Sequence, residues 1–168
     1  IYAEMIGHDL YKRTARGGVM DEFIGERIFA NAAHAGMSPN FAVPPADFSG
    51  NTGMPAAEPG LAVAETSCRP FVEEIVRQIG QLQPRIVGFS SMLQQINPSI
   101  AMARSLKEAY PDMVCVIGGC NCSGEMGEEI AASIPAFDHV FRGEADFIFA
   151  EFCHDYLHQG VRPSHKLI

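Results

Sequence analysis

Three short apolar runs, each ending at serine or just before glycine and each separated from the next by a helical pattern, restrict this chain to few folds. The runs are Arg85-Ile-Val-Gly-Phe-Ser90, Met113-Val-Cys-Val-Ile117 and Asp138-His-Val-Phe-Arg142. They are too short for buried helices and rich in β-branched and aromatic residues, so they are expected as buried strands. Between the first two, Ile100, Ala103, Leu106 and Tyr110 recur at helical spacing, with Asn97-Pro98 as N-cap and first helical position and Pro111 as the stop. Between the second and third, Met126, Ile130 and Ala131 give an inward stripe, and beyond the third a helix carries Phe147, Ile148, Phe152, Tyr156 and Leu157. Strands and helices alternating this closely require parallel strands joined by right-handed crossovers. The expected class is α/β, a doubly wound, mostly parallel sheet with helices on both faces.

Upstream the pattern is different. A helix is expected over 70–82, where Phe71, Val72, Ile75, Val76, Ile79 and Leu82 form its apolar positions and Pro84 its end. Amphipathic spacing also predicts helices over 3–15 and 20–34, separated by Gly17-Gly18. Between Gly36 and Gly60, prolines and glycines alternate with small residues, which sustains neither helix nor central strand. The expected organisation is therefore a helical and Pro/Gly-rich N-terminal segment over 1–67 and an α/β core over 68–168.

Composition narrows the function. The 168 residues are 47% hydrophobic and 19% charged, ordinary for one globular domain with a real core. No run approaches the roughly 20 apolar residues that cross a bilayer, and no basic start precedes an apolar stretch. A net charge of −8 sets the long-range field against phosphate backbones and anionic membranes. Neither nucleic acid nor membrane is expected as a partner, and the cytoplasm is the expected location. The cysteines, Cys68, Cys115, Cys120, Cys122 and Cys153, lack the paired spacing of a zinc site and are expected as reduced thiols.

In an open parallel sheet, ligands bind beyond the carboxyl ends of the strands. Three loops emerge there: Ser90 to Asn97, Gly118 to Gly124 and Arg142 to Asp146. The first offers hydroxyls and amides suited to a large, polar, weakly charged ligand. The second offers glycines that admit a ligand close to backbone, then a helix N-terminus that favours an anion such as a phosphodiester. Each residue also has a local use: Ser90, Ser91 and Asn97 as caps, the glycine pair as a turn, Glu144 and Asp146 against a helix dipole with Arg142 pairing to either. The chain has no G-x-G-x-x-G, no G-x-x-x-x-G-K-[ST] and no G-x-S-x-G, so three common chemistries lack their residues. The strand ending at Ser90 has no terminal aspartate for a phospho-acceptor. Cys120 or Cys122, near a helix N-terminus, could serve a thiol enzyme. The six histidines form no H-E-x-x-H, His154 and His158 are expected on a solvated face, and no zinc is expected.

Taken together these loops resemble a known family. V-G-F-S-S-M-L-Q-Q, A-R-S-L-K-E-A-Y-P, G-G-C-N-C-S-G-E-M-G and F-R-G-E-A-D, all between Arg85 and Phe149, are similar to the cobalamin-binding domain of radical SAM proteins. The branch most resembled matures ribosomally made peptides (RiPPs, bacteriocin-type), whose segment ahead of the sheet is similar to A-E-M-I-G-H-D-L-Y and D-E-F-I-G-E-R-I-F-A here. The glycine-glycine loop together with the R-G-E-A-D run carries most of the specificity.

The resemblance implies a flavodoxin-like (Rossmann-like) domain holding cobalamin over the carboxyl edge of the sheet. Ser90, Ser91 and Gln94 would then contact the nucleotide tail or corrin amides. Gly118, Gly119, Cys120 and Asn121 would pass the tail's phosphate and ribose close to backbone, and Arg142, Gly143 and Glu144 would close the third side. The implied role is a cobalamin-binding module of a radical SAM enzyme that methylates or otherwise modifies a peptide or small molecule, the precursor peptide being a possible partner. The cofactor brings the chemistry and the protein brings position. The C-x-x-x-C-x-x-C motif for a four-iron cluster is missing here, since Cys115, Cys120 and Cys122 have the wrong spacing. S-adenosylmethionine and the four-iron four-sulfur cluster thus belong to a radical SAM domain that these residues do not contain, and the chain is not expected to catalyse alone. Relatives also carry a first strand and helix ahead of the position of Ile1, which implies a crevice short of one wall. There is no D-x-H-x-x-G, so cobalamin would be held without that motif's histidine. The rival expectation is a cofactor-free scaffold or peptide-docking domain of the same fold, with 36–60 as its contact region.

Overall fold

A computed structural model describes residues 1–15, 24–34 and 61–168. The expected Gly17-Gly18 break and the Pro/Gly-rich stretch over 36–60 lie outside these residues. The elements are α1 (Tyr2–Ile6), α2 (His8–Ala15), α3 (Ile24–Ala33), α4 (Leu61–Leu82), β1 (Ile86–Ser90), α5 (Ile96–Ala109), β2 (Val114–Gly118), α6 (Gly124–Ser133), β3 (His139–Val140) and α7 (Asp146–His154). A single 3₁₀ turn, Cys120–Cys122, joins β2 to α6, and a π-helical turn, Asp155–Gln159, follows α7.

The three strands form one parallel sheet in the order β1-β2-β3. Ile86 pairs with Val114 and Ser90 with Gly118, while Val116 and Ile117 pair with His139 and Val140. β3 is shorter than expected, yet its flanks stay in the ladder: the Asp138 N–H donates to the Cys115 carbonyl (2.7 Å) and the Phe141 N–H to the Ile117 carbonyl (2.8 Å). On β3's outer side the last residues continue the pairing, Val140 donating to the Lys166 carbonyl and Ile168 to the Val140 carbonyl.

Alternation along the strands sends successive side chains to opposite faces. Cys115, Ile117 and Val140 share one core with Ile28 and Phe29 of α3, Ala64, Cys68, Val72 and Val76 of α4, Leu106 of α5 and Ile130 of α6. Val114, Val116 and Phe141 face the other way, against Phe152 and Tyr156 of the α7 region. Helices thus cover both faces of a parallel sheet, and the α/β doubly wound class holds.

Three local expectations differ from the structure. The helix expected over 3–15 is two, because Gly7 adopts φ +87° between α1 and α2. The helix expected to start at residue 70 begins nine residues earlier and carries Pro70 inside it. Ala64, Cys68, Val72 and Val76 recur every four residues and are all buried, so core burial runs straight across the proline and outweighs its missing N–H. Met126 does not face inward: it is 56% exposed, and the stripe of α6 that packs is Gly127 and Ile130. Among the described residues no helix is long and apolar enough to cross a membrane.

Candidate functional site

All three strands run the same way, so their carboxyl ends and the N-termini of α5, α6 and α7 gather at one edge. The loops singled out in the sequence meet there. The first two are knitted together at Ser91, which is wholly buried. Its N–H donates to the Gly118 carbonyl (2.8 Å), its carbonyl accepts from the Asn121 N–H (3.2 Å), and its hydroxyl oxygen accepts from Asn121 Nδ2 (2.9 Å). The same Asn121 amide donates to the Leu93 carbonyl at 2.9 Å. Ser91 and Asn121 therefore hold one loop to the other.

Gly119 makes this seam possible. Its φ of +103° lies in the region that side chains avoid, and a Cβ there would stand 2.5 Å from the Ser91 carbonyl oxygen. Gly118, the last residue of β2, has φ outside that region and packs against Phe141. Cys120 follows on the exposed side of the 3₁₀ turn, with its sulfur 4.0 Å from the Ser91 carbonyl.

Gln94 points elsewhere than the edge. Its Oε1 accepts from the Gly25 N–H of α3 at 2.7 Å. Asn97, expected as an N-cap, is not one: α5 begins at Ile96, its N-cap residue Gln95 makes no side-chain capping bond and instead accepts from the Met92 N–H at 2.8 Å, and N–H groups at the start of the helix are taken by Glu26 of α3. The two Glu26 carboxylate oxygens accept from the Ile96 and Asn97 N–H groups, each at 2.7 Å. Burial pushes the Glu26 carboxyl above its usual range, against the pull of those two N–H groups. Sequence reading missed Glu26 because its partners lie about seventy residues away.

On the third side, Arg142 pairs neither with Glu144 nor with Asp146. Its Nη1 reaches Glu128 of α6 at 2.6 Å, an exposed ion pair of the kind that contributes little. Gly143 (φ +87°) and Glu144 are exposed, and nothing lies within 4 Å of a Cβ at Gly143. The rim is apolar as well as polar: Met92, Leu93 (65% exposed), Met126 and Phe147 (91% exposed) all lie on it. Ser123 at the N-cap of α6 makes no side-chain bond, so that N-terminus keeps its amides available, and Gly124 next to it has open space around its Cβ position. Apolar side chains, exposed neutral polar groups and the uncapped N-terminus of α6 are a donor set that fits a corrin ring with its amide rim and phosphodiester tail. None of the three loops contains a histidine.

The thiols divide sharply. Cys68, Cys115 and Cys122 are buried, and burial pushes them up to about 12, about 11 and about 11 from an ordinary 9.0. Cys122 is thereby removed as a nucleophile, while Cys120 remains exposed. Iodoacetamide at pH 8 is expected to label Cys120 quickly, Cys153 slowly and the other three only after unfolding, which peptide mass mapping reads directly. The sign for stability follows. Raised thiol values favour the protonated, folded form, so their contribution is complete below about pH 9 and is lost as the pH rises towards 11–12. Equal labelling of Cys122 and Cys120 in the folded protein would contradict this division.

Comparison with known proteins agrees with the geometry. Residues 56–152 match the B12 binding domain family, more than half of the chain, and the chain belongs to that family. The matched stretch takes in α4, the whole sheet and most of α7, with all three edge loops. No curated protein and no solved structure matches the chain.

Proposed function

We propose that this B12-binding domain holds cobalamin over the carboxyl edge of its sheet for a radical SAM domain, in an enzyme that modifies a peptide or small molecule. The observation that supports it is the seam at Ser91, which brings two of the loops that carry the resemblance into one open, mixed apolar and polar edge. When bound, cobalamin supplies the organometallic chemistry, methyl transfer above all. The chain's own residues position it. Ser90, Gly118, Gly119 and Cys120 would line the edge beside the corrin amides and the ribose. The uncapped N-terminus of α6 would take the single negative charge of the tail's phosphodiester. Met92, Leu93 and Met126 would cover apolar ring surface. Gly143 and Glu144 would bound the third side and meet the neighbouring domain, with Arg142 fixed by Glu128. Ser91, Gln94 and Asn121 serve one step back, by shaping the loops. The cobalt would be held without a histidine from these loops. S-adenosylmethionine and an iron–sulfur cluster would belong to the partner domain, and the cytoplasm is the compartment that suits reduced thiols.

Purified chain titrated with hydroxocobalamin and methylcobalamin, then gel-filtered, is expected to carry the cobalamin visible spectrum with the protein peak. Cys120→Trp, a bulky change on an exposed residue at the edge, should weaken binding at least about tenfold while leaving the melting temperature unchanged. A folded chain that elutes without colour would favour the cofactor-free scaffold instead.

A further inference from the structure

The N-terminus of α5 opens onto the same edge as the proposed cobalamin site, and such a terminus is a ready place for a ligand's anion. Here it is filled from within. Glu26 places both carboxylate oxygens on the Ile96 and Asn97 N–H groups at 2.7 Å. Around it the same two segments are joined three more times. Asn97 Nδ2 donates to the Glu26 carbonyl (3.0 Å), the Gly25 N–H donates to Gln94 Oε1 (2.7 Å), and Asn97 Oδ1 lies 2.9 Å from His34 Nε2. Gln94 and Asn97 bracket the end of the loop whose start is Ser91. The carboxylate and carbonyl of Glu26 and the Gly25 N–H, all of α3, together with His34 just past it, thus fix the far end of that loop, while Gly118 and Asn121 fix the near end.

We infer that Glu26 is a positioning residue: a built-in anion that occupies the α5 N-terminus, holds the 91–97 loop in its binding shape, and leaves α6 as the only one of these two termini open to the ligand's phosphodiester. This rests on the cobalamin reading for the ligand, although the clamp itself does not. The chemistry is that of an internal carboxylate standing where a phosphate would otherwise bind, with two charge-assisted hydrogen bonds as its hold. α3 is therefore part of the ligand-binding unit although it contributes no group to the ligand. Its role differs from packing, because an aliphatic residue of equal size would fill the space and leave two N–H groups without acceptors.

The test uses the full chain with Glu26→Gln and Glu26→Ala, each checked for wild-type circular dichroism. Amide hydrogen exchange at Ile96 and Asn97 reads the clamp without any ligand. Both amides are expected to be protected in wild type, to lose at least about tenfold protection in Glu26→Ala, and to regain most of it when sodium formate is added, since formate can re-enter the vacated position. Sodium chloride at matched ionic strength should not restore it. Hydroxocobalamin affinity should fall about tenfold in Glu26→Ala, less in Glu26→Gln, and recover with formate. Formate rescue separates a held anion from a merely packed side chain, which formate could not replace. Unchanged exchange at both amides would overturn the clamp. Lost protection with unchanged cobalamin affinity would overturn its positioning role and leave the ligand reading intact. If wild type itself bound no cobalamin, the ligand reading would fail, and exchange with formate rescue would still decide whether Glu26 is the anion.

Discussion

Gly119→Val is expected to destabilise the fold by about 3 kcal/mol and to lower the melting temperature by about 10 °C. Two costs combine. A valine at φ +103° is strained whatever surrounds it, and its Cβ would approach the Ser91 carbonyl oxygen to 2.5 Å and the Ser91 nitrogen to 3.0 Å. Those are backbone atoms in a wholly buried residue, so no side chain can swing aside. Relief requires the two loops to part, which loses the bonds from Ser91 to Gly118 and from Asn121 to Ser91. Gly124→Ala is the control: its φ is +58° but nothing lies within 4 Å, so only the conformational cost of about 1 kcal/mol applies. Urea titrations of both proteins, followed by circular dichroism, separate the two. A Gly119→Ala protein within about 0.5 kcal/mol of wild type would remove the steric argument. Because the seam also shapes the edge, cobalamin binding should fall with the Gly119 variant even where enough folded protein remains to measure it.

That contrast indicates which parts of the molecule a sequence can disclose. Strands β1 and β2 and helix α5 were legible because short apolar runs and helical stripes report burial directly, and burial is what forms them. The carboxyl-edge placement of the three loops followed from parallel topology alone. The segments around Pro70 and Gly7 differ from expectation in opposite ways: the helix limit at Pro70 takes a local breaker too literally, and the single helix over 3–15 passes over one. Pro70 sits inside α4 because four buried residues at i, i+4 spacing hold the helix on either side of it, whereas Gly7 does break the first helix, by its positive φ.

The site was less legible, and for one physical reason. Polar side chains on a loop can face a ligand or face the protein, and only long-range partners decide which. Ser91 looks like a ligand-contacting hydroxyl until the Asn121 amide, thirty residues on, is placed against it at 2.9 Å. Gln94 reads from sequence as an amide for the corrin, and α3 engages its oxygen through the Gly25 N–H. Glu26 carried no signal at all, since its two acceptors' worth of capping is delivered to a helix about seventy residues away. Arg142 had two carboxylates close in sequence and chose Glu128 instead, because the turn at Gly143 carries Glu144 away from it. Spacing rules capture neighbours along an element; they do not capture neighbours across a crossover.

The second large effect lies at the opposite edge of the sheet, where Asp138→Ala is expected to cost about 3 kcal/mol. Ahead of β3 the chain turns through Ala136 and Phe137 and has no backbone carbonyl to offer the Cys115 N–H of β2. The Asp138 carboxylate substitutes for it, accepting from Cys115 N at 2.8 Å while the Asp138 N–H donates to the Cys115 carbonyl at 2.7 Å. Lys107 of α5 completes the arrangement, its ammonium within 3.0 Å of both Asp138 oxygens and also donating to the Pro111 (3.2 Å) and Met113 (3.0 Å) carbonyls. One cation therefore ties the α5–β2 turn to the start of β3. Removing the carboxylate leaves a donor on a fully buried residue without an acceptor and a half-buried ammonium without its counter-charge. The pair retains some contact with water, which keeps the cost below that of a fully buried ion pair. Asp138→Asn, which keeps an acceptor for Cys115 but not the charge, should lose about 1 kcal/mol, and Lys107→Met a similar amount. Urea unfolding of the three single variants and the Lys107→Met/Asp138→Asn double variant gives the coupling directly, with a value of at least about 0.5 kcal/mol expected for groups in contact. An Asp138→Ala protein as stable as Asp138→Asn would mean that the Cys115 N–H finds another acceptor, and the carboxylate would then be a surface charge rather than the missing rung of the sheet.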